Sequence, residues 1–165
     1  MTLFAPLTTE RLTIRYLTPR DLPAHLAMRA DAQVRQYQSF PRNYGAIDAL
    51  SAMAWMKARD PAGGGWFNLC VAERTDDRHA GDVAVNVKRD ETLIGVSFER
   101  RVQGQGYATE ALGALLVWLG QRGVPPFKAE IDARNARSIA LFRRLGFKPC
   151  GRFMDGPVEV LCFAR

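Results

Sequence analysis

The chain has 165 residues, of which 47% are hydrophobic and 24% charged, with a formal net charge of +6. This usage excludes a disordered or fibrous protein, and the length predicts a single domain over residues 1–165. No apolar run approaches the roughly 20 residues needed to cross a bilayer. The first residues lack the basic-then-apolar pattern of a secretion signal. We therefore expect a cytoplasmic protein with no membrane partner.

Hydrophobic periodicity and turn residues predict alternating strands and helices. In chain order the patterns predict a strand over 12–17, a helix capped by Thr18 and running to Arg29, a looser helix between Ile47 and Arg59, strands over 66–73, 80–87 and 92–98, a helix over 108–121, a strand over 127–132, a helix over 137–145 and a final hairpin around Asp155–Pro157. The looser helix places Ile47, Leu50, Ala54 and Trp55 on one face. This order predicts a mixed α/β (α+β) fold with antiparallel strands first, then a β-α-β unit, a helix and a hairpin.

The cysteines and histidines give no sign of metal chemistry. Cys70, Cys150 and Cys162 are widely spaced and include no CxxC pair, so we expect all three to be small buried hydrophobes. His25 and His79 are the only histidines, with no metal-binding spacing, which predicts no metal site.

The positive charge favours a polyanionic partner, such as nucleic acid or a cofactor rich in phosphate. The basic residues are dispersed along the chain and form no recognition module, which argues against a nucleic-acid partner.

The segment Arg101–Ala108 lies between a predicted strand and a predicted helix. Glycines such as Gly104 and Gly106 let the backbone approach a ligand closely, and a helix start offers unpaired N–H groups to an anion. The segment predicts either a phosphate cradle or a plain glycine turn. It is not a dinucleotide fingerprint, because Thr109 occupies the third glycine position.

A second pattern follows downstream, with Asn135-x-x-Ser138 and then Leu145-Gly146-Phe147. Together with Arg101-x-x-Gly104-x-Gly106, this pattern resembles the GNAT superfamily of acetyl-CoA-dependent N-acetyltransferases. The segment Thr9–Arg15, with Asp21 and Val34-x-x-Tyr37, is similar to the branch that acetylates ribosomal-protein N-termini. The resemblance runs from about Thr9 to Phe153.

The resemblance implies a GNAT-like sheet, mostly antiparallel, with acetyl-CoA as the acetyl donor bound by the parallel β-α-β unit. It also implies that no metal is used and allows a homodimer. The residues implied to bind acetyl-CoA are Ile94, Val96 and Phe98 along the pantetheine arm, Arg101, Val102, Gln103, Gly104, Gln105, Gly106, Tyr107, Ala108 and Thr109 around the pyrophosphate, and Asn135, Ser138 and Phe142 on the next helix.

The catalytic groups depart from the superfamily pattern. Phe142 stands where members commonly carry a tyrosine that protonates the leaving thiolate, and Ser138 is the best substitute. Asn135 and Ser138 also suit plain helix capping. Leu93 stands at the usual position of the base, so Glu91 is the predicted base, with Glu99 as a second candidate and a solvated surface carboxylate as the alternative.

The resemblance implies an N-acetyltransferase that acts on a primary amine, either a protein N-terminus or a small molecule. The alternative is a non-catalytic acyl-CoA-binding module. Asp82 and Asn86 line the acceptor pocket or form a polar outer face of the sheet. Trp66, Trp118 and Phe98 are expected in the core.

Overall fold

The computed structural model describes residues 4–165. Its strands are β1 (Leu7–Thr8), β2 (Leu12–Tyr16), β3 (Gly65–Glu73), β4 (His79–Val87), β5 (Thr92–Phe98), β6 (Phe127–Asp132), β7 (Lys148–Asp155) and β8 (Val158–Ala164). Its α-helices are α1 (Leu22–Ala30), α2 (Ala32–Arg35), α3 (Ala46–Lys57), α4 (Tyr107–Gln121) and α5 (Ala136–Arg144). The prediction that the chain starts without a secretion signal concerns in part residues 1–3, which lie outside the described residues.

One eight-stranded sheet has the order β1-β2-β3-β4-β5-β6-β8-β7. Within the described residues, β5 and β6 are the one parallel pair, and α4 connects them. The predicted mixed fold with a parallel β-α-β unit is therefore confirmed. The short elements β1 and α2 escaped the sequence patterns because neither is long enough to show a period. No helix within residues 4–165 has the length and apolarity to cross a bilayer.

Alternation along the strands divides the core between the two faces of the sheet. Leu69 and Val71 of β3 face the larger core, where Leu112 and Leu115 of α4 are fully buried. Cys70 lies on the opposite face, in a smaller core that includes residues of α3. Helices therefore cover both faces of the sheet, α4 on one face and α3 on the other.

Three predicted environments are wrong. The predicted face of α3 is largely exposed, Ile47 by 82%, whereas Ala49, Met53 and Met56 are buried. The helix is apolar on more than one side, so periodicity did not decide which side packs. Trp66 is 55% exposed because the smaller core includes only Cys70 and Ala72 of β3.

Cys150 is the third correction, since it is exposed whereas Cys70 and Cys162 are buried as expected. It lies on the edge strand β7, where all eight residues are exposed. Phe98 is buried as predicted, and Trp118 packs edge-to-face on Phe4 with 4.9 Å between ring centroids.

The parallel strands β5 and β6 separate soon after they begin. They pair only at Thr92 with Phe127 and at Leu93 with Lys128. Beyond that point β5 pairs with β4 along its length, and β6 pairs with β8 over residues 128–132. The facing edges of residues 94–98 and 129–132 are left without strand partners, and a cleft opens between them.

Candidate functional site

The cleft between β5 and β6 collects residues from five elements or loops. It encloses about 50 Å³. Its lining residues are Tyr37, Gln38, Ile94, Gly95, Val96, Glu130, Ile131, Asp132, Asn135, Ser138 and Phe142. Of the residues predicted to bind the cofactor, Ile94, Val96, Asn135, Ser138 and Phe142 line this cleft. Phe98 is buried in the larger core, and residues 101–109 lie outside the lining.

The glycine loop follows β5 directly and leads into α4. A 3-10 turn covers Arg100–Val102, and Gly104 and Gly106 then adopt left-handed φ angles of 79° and 81°. Residues with a Cβ rarely adopt these angles, which explains glycine at both positions. Gly106 is the N-cap of α4 and has no side chain to bind the first N–H groups of the helix. Those groups and the positive end of the helix dipole can receive an anion.

Two side chains of the loop itself and one from before β2 fix the shape of this loop. The Gln103 amide donates to the carbonyl of Phe98 at 2.9 Å, and the Gln105 amide donates to the carbonyl of Arg101 at 3.0 Å. The Arg11 guanidinium donates to the carbonyl of Gln105 at 2.8 Å. The loop is thus preorganised in the absence of any ligand.

The Arg101 guanidinium points to protein carboxylates. It donates to Glu99 at 2.7 Å, to Glu73 at 2.6 Å and to the carbonyl of His79 at 2.6 Å. The Tyr107 hydroxyl donates to the same Glu73 at 3.1 Å. In this arrangement, the Arg101 side chain supports the loop from the sheet side.

Helix α5 brings Asn135, Ser138 and Phe142 to the cleft. The Asn135 side-chain oxygen Oδ1 accepts a hydrogen bond from the Ser138 backbone N–H at 3.2 Å, so Asn135 caps the helix. Phe142 is buried edge-to-face on Phe147, with 5.0 Å between centroids. Its ring has no proton to donate, and Ser138 is the one hydroxyl of α5 among the lining residues.

The carboxylates predicted as bases lie away from the cleft. Glu91 precedes β5 at the paired end of the two strands and accepts hydrogen bonds from Lys88 at 2.9 Å and Lys128 at 3.1 Å. These two ammonium groups lower the pKa of Glu91, which makes it a weaker base. Glu99 lies at the other end of β5. Burial alone would raise the pKa of Glu99, but hydrogen bonds from His79 and Arg101 hold it below its usual range.

Glu130 is the cleft carboxylate that sequence reasoning missed. It is exposed, and within residues 4–165 its side chain forms no ion pair or hydrogen bond. Its neighbour Asp132 instead accepts both hydrogen bonds of the Arg134 fork at 2.7 and 3.0 Å. Alternation along β6 could have placed Glu130 and Asp132 on one face, but it gave no sign that this strand borders a cleft.

His25, His79 and Asp82 form a buried cluster that the sequence did not reveal. His79 Nε2 lies 3.0 Å from Asp82 Oδ1, and His25 Nδ1 lies 2.7 Å from Asp82 Oδ2. The second contact is close, but the His25 N–H does not point along it. Histidine and aspartate side chains can ligate a metal, and the three ligand atoms lie within 4.8 Å of one another. The 3.0 Å contact between His79 and Asp82 has the length of a hydrogen bond.

The two best-defined ionisable groups of this cluster shift in opposite directions. Burial alone would raise the pKa of Asp82, but the adjacent His25 imidazole and the hydrogen bond from His79 lower it to about 2. Burial alone would lower the pKa of His79, but hydrogen bonds to Asp82 and Glu99 raise it to about 9. At neutral pH the pair is therefore ionic. Asp82 and Asn86 are buried, so neither forms an outer face, and neither lines the cleft.

The chain is similar to known proteins in both sequence and fold. The Acetyltransferase (GNAT) domain family matches residues 11–148. A GNAT-family acetyltransferase from Bacillus anthracis is 19% identical over 98% of both chains, with a TM-score of 0.82. RimJ from Mycobacterium smegmatis, solved with a CoA-disulfide, is 19% identical over 93% of this chain and 81% of its own, with a TM-score of 0.79.

A further similar structure is RimL, a ribosomal-protein α-N-acetyltransferase solved in complex with coenzyme A. It is 18% identical over 95% of this chain and 94% of its own, with a TM-score of 0.80. No curated protein sequence matches the chain. At these identities the solved structures establish the fold, and the domain match establishes the family.

Proposed function

The chain belongs to the GNAT acetyltransferase family, and we propose that it transfers an acetyl group from acetyl-CoA directly to a primary amine. The observation that carries this proposal is that the strand bordering the cleft runs on along the chain into the glycine loop. Strand β5 borders the cleft and leads within a few residues to the N-terminus of α4. A ligand with an extended amide-bearing arm and an anionic diphosphate matches that arrangement.

Acetyl-CoA is such a ligand, and each of its parts has a counterpart in the chain. The edges of residues 94–98 and 129–132 have no strand partner and offer backbone groups to the pantetheine amides, as an added strand would use them. The Gln38 side chain, which donates to the Val96 carbonyl at 3.1 Å, would be displaced or shared. The N–H groups around Gly104–Tyr107 receive the pyrophosphate. The positive net charge favours this anionic donor.

The reaction is a direct transfer in one site. The amine nitrogen attacks the thioester carbonyl carbon, a backbone N–H of β5 stabilises the oxyanion, and the C–S bond then breaks. The thiolate takes a proton from Ser138, which regains one from water. Proximity of the two substrates supplies much of the rate, so no covalent enzyme intermediate is needed.

The acceptor nitrogen must lose a proton, and Glu130 is the base we propose. Glu130 lines the cleft and forms no ion pair among the described residues, whereas Glu91 is bound to two lysines at the paired end of the strands. A carboxylate removes a proton more readily from an α-ammonium group of pKa about 8 than from a lysine of pKa about 10.4. We therefore put a protein or peptide N-terminus first among the acceptors, ahead of other small amines.

Phe142 favours one alternative, an acyl-CoA-binding module without turnover. The ring occupies the position of the usual acid on α5 and is buried against Phe147. In that case acetyl-CoA binds, but no amine releases the thiol. The two functions share the cleft and differ only in chemistry.

Thermal unfolding with acetyl-CoA, and with NAD as the control, tests the donor site. A ligand at 100 times its Kd stabilises a protein by about 2.7 kcal/mol, which is about 5 to 10 °C for a domain of this size. A shift with acetyl-CoA alone supports the site. No shift at millimolar acetyl-CoA refutes both functions.

Thiol release with a panel of peptide N-termini and small amines then separates enzyme from binding module. Glu130→Gln is expected to lower kcat about 100-fold, the scale of general base catalysis, while the thermal shift with acetyl-CoA is retained. Glu91→Gln is the matched control and is expected to keep kcat. The reverse pattern would assign the base to Glu91.

A further inference from the structure

The glycine loop is anchored to the sheet by a chain of charged side chains. This series of contacts starts at the buried Asp82, continues through His79 to Glu99, and reaches Arg101 at the start of the loop. Its successive heavy-atom distances are 3.0, 2.8 and 2.7 Å. From Arg101 it continues to Glu73 at 2.6 Å. These side-chain contacts thus join the interior of the sheet to the loop.

His79 is the link whose chemistry is most constrained. Its Nε2 faces Asp82, and its Nδ1 faces Glu99 at 2.8 Å. An ionised carboxylate only accepts hydrogen bonds, and a neutral imidazole has one N–H to donate. Both contacts are satisfied together only by the imidazolium. Loss of one proton turns one of the two contacts into a repulsion between a lone pair and a carboxylate.

The groups around His79 are mostly acidic. Asp82 faces it from β4, and Glu99 faces it from the end of β5. The His25 ring on α1 lies 6.3 Å away between centroids, and the Arg101 guanidinium contacts the His79 carbonyl. Beyond His25 lies Tyr44, whose ring carries the Arg29 guanidinium at 4.6 Å. The His79 imidazolium is therefore the charge that keeps Asp82 and Glu99 together.

We propose that His79 is a positioning residue for acetyl-CoA binding: its imidazolium holds Glu99, and through Glu99 it fixes Arg101 and the start of the glycine loop. This inference rests on the proposed function of that loop. The affinity for acetyl-CoA then depends on the His79 proton, which acts on the loop through Glu99 and Arg101 and does not touch the ligand. The affinity falls at alkaline pH, as His79 becomes neutral.

His79→Gln tests this role, with His25→Gln as the matched control. Both variants remove a buried imidazole beside Asp82, but of the two imidazoles only His79 contacts Glu99. We expect the Kd for acetyl-CoA, measured by calorimetry at about pH 7, to rise about tenfold in His79→Gln and to stay near the wild-type value in His25→Gln. Tenfold is the scale of one charge-assisted hydrogen bond.

Two further readouts exclude a general loss of packing. The wild-type Kd is expected to rise between about pH 8 and 9.5, and this rise should vanish in His79→Gln. Amide hydrogen exchange over residues 102–108 without ligand should be faster in His79→Gln than in His25→Gln. Equal affinity, equal pH profile and equal exchange in the two variants would overturn the proposal.

Two other outcomes are also decided. If the wild type fails to bind acetyl-CoA, the proposed function fails, and the exchange comparison alone tests the anchoring of the loop. If His79→Gln does not fold, Glu99→Gln replaces it, because Glu99 lies nearer the surface, with 17% of its side chain exposed. Weaker binding in Glu99→Gln supports the proposal, and unchanged binding refutes it.

Discussion

Raising the pH from about 6 to about 9 is expected to destabilise the folded protein through His79. Its pKa rises from 6.5 to about 9 on folding. A group with a raised pKa in the folded state contributes stability below its unfolded pKa, and that contribution is lost as the pH rises through the folded value. The pKa of Asp82 falls to about 2 on folding, so its contribution is lost only in acid.

The magnitude follows from the His79 pKa. Each unit of pKa difference is about 1.4 kcal/mol, so the free energy of unfolding should fall by about 3 kcal/mol between pH 6 and pH 9. His79 is 3% exposed, and solvent therefore screens its contacts little. The shifts of His79 and Asp82 describe one interaction from its two sides, and they are not added.

Urea unfolding at half-unit steps of pH, on the wild type and His79→Gln, measures this loss. The buried Cys70 thiol also has a raised pKa, so unfolded thiols contribute a common slope near pH 9. The difference between the two proteins removes that slope. His25→Gln is the control for the loss of a buried imidazole beside Asp82. Parallel curves for the wild type and His79→Gln would refute the assignment of an imidazolium at His79.

Two further predictions concern the glycine loop and the last helix. Gly106→Ala should lower the free energy of unfolding by about 1 to 2 kcal/mol, because the Gly106 φ of 81° is left-handed. Gly113→Ala inside α4 should raise it by about 1 kcal/mol, since no atom lies within 4 Å of the new Cβ. Calorimetric melting compares the two variants, and equal changes in Tm would contradict both expectations. Asn135→Ala should lower the free energy of unfolding by about 1 kcal/mol, because the helix cap is lost. Asn135→Asp can cap the helix and should keep the wild-type stability in urea unfolding. A loss of stability in both variants would assign Asn135 a role other than capping.

Local sequence patterns predicted most of the scaffold. The bounds of β5 and β6 match the prediction, and α4 begins one residue earlier than expected. These elements have clear periods and end at glycine, proline or polar turns, so their conformation depends on neighbours in the chain. The same holds for the loop, since Gly104 and Gly106 both adopt left-handed angles.

Contacts between distant elements were beyond such patterns. Asp82 appeared as a polar residue on a strand, but α1 packs on β4 and brings His25 to it across 57 positions of sequence. Glu130 gained its importance only because β5 and β6 separate after two paired residues. The predicted face of α3 was wrong because the helix is apolar on more than one side, and packing chose Ala49, Met53 and Met56.

The sequence by itself determined where the backbone turns, where helices begin and which loop adopts left-handed angles at its glycines, because these depend on φ angles, capping and local period. Only the tertiary structure decided which carboxylate borders the cleft and which histidine lies between two carboxylates. Burial and electrostatic contact depend on distances in space, and packing sets those distances between residues that the chain keeps far apart.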